Sequence, residues 1–95
     1  MSAPDFLVHD STDNVGVVVV ETTQAGRTLV GWVMDKDITV QLLAVDPIPL
    51  GHKVALGDMA ADETILKYGH DIGRTIAPVV RGGHVHVHNL KTKRW

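Results

Sequence analysis

The chain has 95 residues, with nine lysines and arginines, eleven acids and six histidines, for a formal net charge of −2. That length suits one domain, 1–95, with a thin core. The absence of cysteine excludes disulfides, thiolate nucleophiles and cysteine-containing zinc sites.

Residues 1–14 are polar and are expected to be loose. Val15 to Val20 is rich in β-branched residues and reads as a buried strand. Thr22 to Gly26 is a turn, and Thr28 to Met34 a second strand that would form a hairpin with the first. Asp35-Lys36-Asp37 turns the chain into a third strand, Ile38 to Val45. Pro47 and Pro49 keep residues 46–51 out of any helix or central strand. Val54 to Leu56 resumes the strand pattern. Ala60 to Leu66 has room for one helical turn. Arg74 to Ala77 and Val85 to Val87 complete the strands, and residues 91–95 form a basic tail. The fold class is therefore all-β, with at most one short helical turn.

A weak repeat supports that class. Val19–Val30 aligns without gaps on Ala55–Leu66, which aligns on Ile76–Val87. Each copy is an apolar strand, a polar link, a tight turn and another apolar strand. Gly26 and Gly83 suit turns that need positive φ, with Asp62 a tolerable substitute.

Charge is unevenly spread. Residues 1–50 carry seven acids and two bases, whereas residues 51–95 carry four acids, seven bases and five of the histidines. The second half is the better candidate to meet an anion. The start lacks the basic and apolar regions of a signal peptide, and no apolar run approaches membrane-spanning length. A cytoplasmic protein with no membrane partner is expected. The one basic cluster, Lys91, Lys93 and Arg94, with few aromatics, argues against a nucleic-acid partner.

The segment Gly83-His84-Val85-His86-Val87-His88-Asn89 is the densest in chemistry. In a strand, alternate side chains share a face. His84, His86 and His88 would form a row, with Val85 and Val87 buried behind it. The row spans about 13 Å at strand rise, so all three do not reach one metal ion. It reads either as a ligand or proton-transfer site or as a polar face packed at an interface. Lys53, Lys67 and Arg74 are candidate anion ligands, although Arg74 also suits a surface pair with Asp71. His52 follows a turn glycine, and Tyr68 closes a strand with its ring at the core's edge. His9 and His70 read as surface residues.

Pro49-Leu50-Gly51-His52-Lys53-Val54-Ala55-Leu56, Ile65-Leu66-Lys67-Tyr68-Gly69, Ile72-Gly73-Arg74 and His84-Val85-His86-Val87-His88-Asn89, in this order and spacing, resemble the SAF-type domain of the altronate and galactarate dehydratases. The similarity runs from Asp13 to Lys91. The resemblance implies a β-clip fold of short strands and a large catalytic partner subunit. It implies a small accessory subunit of a lyase acting on a small anionic 2-hydroxy acid. The best-fitting case is sulfite elimination from (2R)-3-sulfolactate, where the domain occurs as a separate subunit; a sugar-acid dehydratase is the alternative. On this reading His84 and His86 are catalytic, and His52, Lys53, Lys67, Tyr68 and His88 contact substrate. A divalent metal, iron(II) by expectation, would rest mainly on the large subunit. Two rivals belong to other classes: a non-catalytic ligand-binding SAF module, and a free-standing metal-binding protein using the histidine row.

Overall fold

The computed structural model describes residues 3–21, 23–67, 70–85 and 90–91. Their strands are β1 (Phe6–Val8), β2 (Val15–Val18), β3 (Thr28–Val33), β4 (Ile38–Leu43), β5 (Lys53–Ala55), β6 (Thr64–Lys67), β7 (His70–Thr75), β8 (His84–Val85) and β9 (Leu90–Lys91). No described residue is helical. The helical turn expected within Ala60–Leu66 is instead a tight turn leading into β6, so the chain is all-β, as its patterning predicts.

Six strands form one mixed sheet in the order β4-β3-β1-β2-β5-β8, and three form a second in the order β6-β7-β9. The expected hairpin between Val15–Val20 and Thr28–Met34 does not form. β1 lies between them, antiparallel to β2 and parallel to β3. The first residues are thus more ordered than their polarity suggests. The reason is Phe6, which is fully buried. A Cβ on Gly16 would fall 2.7 Å from its ring, and one on Gly31 would fall 2.1 Å away. Two glycines flank the ring, and only a residue without a side chain leaves that space.

The repeat is real in the structure and has a fourth copy. Thr23, Ile48, Met59 and Val79 each make an isolated β-bridge, paired as Thr23–Ile48 and Met59–Val79. Three residues after each bridge stands a residue with positive φ: Gly26 (89°), Gly51 (85°), Asp62 (65°) and Gly82 (81°). Positive φ at the third turn position is what a type II turn demands. Hydrogen bonds within each pair are reciprocal. Gly26 N donates to Ala44 O and Gly51 N to Val18 O, while Asp62 N donates to Thr75 O and Gly82 N to Ala55 O. The third turn falls on Gly82, not Gly83, a one-residue correction to the sequence alignment.

The buried residues form two clusters. One holds Phe6, Val8, Val18, Leu29, Val33, Leu42, Ala44, Ile48 and Val54. The other holds Val15, Ala55, Met59, Ile65, Val79 and Val85. Neighbours Val54 and Ala55 join different clusters because strand side chains alternate between faces. The β2–β5–β8 ribbon is therefore buried on both sides, which explains the unbroken apolar run in β2. Asn14 ties the sheets together: its Nδ2 donates to Thr64 O at 2.8 Å and its Oδ1 accepts from Leu66 N at 2.7 Å.

Candidate active site

β8 is the last strand of the six-stranded sheet and pairs antiparallel with β5, Lys53 opposite Val85 and Val54 opposite His84. Val85 is fully buried and His84 half-buried. The expected alternation of histidine and valine thus holds for the two residues of the row that the structure describes. His86 and His88 lie outside the described residues, as do Tyr68, Asn89 and Trp95.

What the sequence did not disclose is the neighbour of His84. His52, 32 residues away, brings its Nδ1 to 2.6 Å from His84 Nε2. The ring centroids are 4.9 Å apart and the planes differ by 26°. The centroid separation exceeds the nitrogen distance by 2.3 Å, about one imidazole width. The two nitrogens therefore lie close to the line joining the centroids. The rings meet head to head, near coplanar, rather than face to face. That is the geometry of an N–H···N hydrogen bond, in which one ring donates and the other accepts.

Local structure holds both rings in place. Gly51, at φ 85°, closes the turn that delivers His52. His52 N donates to Pro49 O at 3.0 Å, and its carbonyl accepts from Val18 N at 2.9 Å. On the other side, Gly83 N donates to Val80 O at 2.9 Å. His84 N donates to Asp46 Oδ2 at 3.0 Å. Asp46 thus orients the second ring's backbone, a role its place in a proline-rich loop did not suggest. The turns before the two histidines are copies of one unit.

Lys53 is placed apart from the two histidines. Lys53 stands opposite Val85 and Val17 in the ladder, so it projects on the face away from His84. Its ammonium is held below the ordinary 10.5, first by burial and then by the charge of Lys67. Two cations near each other, one partly desolvated, make a place that favours an anion. His84 and Lys53, read together from sequence, thus lie on opposite faces of the β5–β8 ribbon.

Arg74 joins neither pair. It bonds Asp62 rather than the expected Asp71, whose Oδ1 accepts from Gly73 N at 3.0 Å. His70 is exposed and His9 half-buried. A cavity of about 270 Å³ opens elsewhere, lined by Val8, Val33, Ile38, Val40, Leu42 and Leu56, with Ser11, Asp13 and Arg81 as its polar residues. None of the predicted site residues that the structure describes lines it.

The described residues do not fit a metal site. No group of three or more potential ligands is assembled among them. The facing nitrogens of His52 and His84 point at each other and do not converge on a third point, and 2.6 Å leaves no room for an ion between them at ordinary zinc–nitrogen distances of about 2.0–2.1 Å each.

The structure thus defines a small all-β domain with an imidazole pair where β5 meets β8. The sequence assigns it more closely. Residues 4–93 match the model of the altronate/galactarate dehydratase SAF domain, and the chain belongs to that family. It is 59% identical over 91 residues to the (2R)-sulfolactate sulfo-lyase subunit alpha of Chromohalobacter salexigens, covering 96% of this chain and 97% of that one. It is 53% identical over 55 residues to the subunit of the same name from Paracoccus pantotrophus, covering 58% of this chain and 82% of that one. It is 32% identical over 87 residues to the altronate dehydratase of Escherichia coli, covering 92% of this chain but 16% of that enzyme. These relatives are lyases or lyase subunits, and the designation alpha implies a partner subunit.

Proposed function

We propose that this chain is the small subunit of a two-subunit lyase that eliminates sulfite from (2R)-3-sulfolactate. The observation that carries the reading is the 59% identity extending over nearly the full length of both chains. In this reaction the C–H bond beside the carboxylate breaks, its electron pair forms the C=C bond, and the C–S bond breaks with its pair leaving on sulfite. Removing that proton builds charge beside an existing anion. A base must reach the proton, and cations must stabilise what develops.

Lys53 and Lys67 supply cations for the carboxylate and sulfonate. His52 and His84 supply imidazoles for the proton. Because His84 and Lys53 occupy opposite faces of one ribbon, the large subunit must wrap its rim for both to serve one substrate. We place the divalent metal, iron(II) by expectation, on the large subunit, where it would stabilise the developing charge. His86, His88 and Tyr68 stay candidate site residues, and the cytoplasm is the proposed location.

The test is co-purification with the large subunit, then assay of the complex on sulfolactate and on altronate. Sulfite release bears the reading out. A 2-keto-3-deoxy product moves the chain to the dehydratases, to which it is also similar. Failure to form any complex would leave a ligand-binding module.

A further inference from the structure

We propose that His52 and His84 act together as a proton relay, carrying a proton end to end across two rings. The proposal deepens the lyase reading and, as a catalytic device, rests on it. The argument begins with the head-to-head contact. A neutral imidazole carries one N–H and one bare nitrogen. Two neutral rings joined through Nδ1 of His52 and Nε2 of His84 at 2.6 Å share one bridging proton. The second proton sits on an outer nitrogen, either His84 Nδ1 or His52 Nε2. The pair therefore has two arrangements, with the bridging proton on His52 or on His84.

Switching between them moves a proton. Suppose His52 Nδ1 holds the bridging proton. A proton arriving at His52 Nε2 forms an N–H bond there. The bridging proton crosses to His84 Nε2, and His84 releases the proton from its Nδ1. One proton enters, one leaves, and the pair ends with the same number as before. The reverse sequence runs equally well. Neither ring keeps the positive charge, and the path spans two side chains. A single histidine offers one ring and must turn or wait for water to clear its proton.

This matters for elimination, since the proton taken at His52 Nε2 is matched by one released at His84 Nδ1 without charge building up on either ring. The pair is reset for the next turnover when solvent returns a proton to His84 Nδ1, the bridging proton crosses back and His52 Nε2 releases its proton. The short distance favours transfer, because proton movement between heavy atoms needs hydrogen-bond reach. The backbone ties of His52 to Pro49 and Val18 and of His84 to Asp46 hold the rings in line, as a relay requires and as a pair of solvated surface histidines would not.

The experiment has two arms. The first is nitrogen-15 NMR of the full chain, with no substrate and no partner. A scalar coupling between His52 Nδ1 and His84 Nε2 is expected, with both outer nitrogens at shifts between those of bare and protonated imidazole. No coupling, or outer nitrogens fixed in one form, overturns the relay. The second arm uses His52→Asn and His84→Gln in the complex. Each places an amide nitrogen near the ring nitrogen that makes the contact, but neither passes a proton through. We expect assembly at wild-type affinity, a fall in kcat of about 100-fold and little change in KM. Partial rescue by added imidazole in His84→Ala is expected as well. Wild-type turnover in both amide variants overturns the catalytic role. If the wild-type complex eliminates nothing from either acid, the lyase reading fails, and the NMR arm alone decides whether the pair exchanges its proton.

Discussion

At the scale of single residues, Lys53 carries a charge that its surroundings in the fold disfavour. Burial, and then Lys67, hold its ammonium below 10.5. Its charged form is thus less welcome in the folded chain than in the unfolded one. At neutral pH the fold bears that cost, and stability rises as pH climbs through the folded value toward 10.5. Lys53→Met should raise the melting temperature at pH 7 by about 2–4 °C, the gain shrinking as pH approaches 10.5. In the complex the same change should raise KM about tenfold, as loss of a charged contact of about 1.4 kcal/mol would. A lower melting temperature would show that Lys53 is structural. Gly26 and Gly82 allow a second residue-level comparison. Both have positive φ, but a Cβ at Gly26 meets nothing within 4 Å, whereas at Gly82 it would sit 1.9 Å from Leu43 O. Gly26→Ala should cost about 1 kcal/mol, the ordinary left-handed penalty. Gly82→Ala adds overpacking against backbone and should cost about 3 kcal/mol or more. Equal costs in urea unfolding would refute the comparison.

At the scale of elements, Asn14 joins what strand pairing leaves apart. Its side chain binds Thr64 O and Leu66 N, and its own N donates to Leu66 O at 3.2 Å. Asn14→Ala leaves a β6 donor and acceptor without those partners and should destabilise by about 2–3 kcal/mol. Asn14→Asp should cost nearly as much, since a carboxylate still accepts from Leu66 N but faces the Thr64 carbonyl with a second acceptor. A loss below 0.5 kcal/mol in chemical denaturation, about what an exposed side chain costs, would refute the clamp. Strands with a clear period were legible in sequence, because alternation and turn residues are local. β3 and β4 begin where expected, and the Asp35–Asp37 turn joins them. β1 was not legible: three apolar residues in a polar stretch carry no period, and their burial depends on gaps at Gly16 and Gly31 far along the chain. The same limit applied at the site. The face of His84 followed from alternation, but its partner His52 comes from a pairing of β5 with β8 that no local pattern encodes. The slip from Gly82 to Gly83 arose because two adjacent glycines serve a turn equally well on paper.

At the scale of the whole molecule, the question is whether two apolar clusters make two folding units. The long-range architecture argues for one. β2 and β5 contribute to both clusters, with Val18 and Val54 on one side and Val15 and Ala55 on the other. Neither cluster can be exposed without stripping one face of the strands that frame its neighbour. The reciprocal turn bonds add to this, since Gly82 N reaches Ala55 O and Val45 N reaches Gly82 O, linking the end of β4 to the turn that precedes β8. The chain should therefore unfold in a single transition, with calorimetric and van't Hoff enthalpies equal. Trp32, on β3, and histidine resonances at His84, on β8, should report the same midpoint. Asn14→Ala should lower both probes together. Two separated midpoints would mean that the second sheet melts by itself. The histidine pair, in the six-stranded sheet, would then outlast the first transition, and a partner bound to the second sheet would raise the lower midpoint selectively by mass action. With one transition, the same partner shifts the whole curve, and the paired histidines are set by the fold before any substrate arrives.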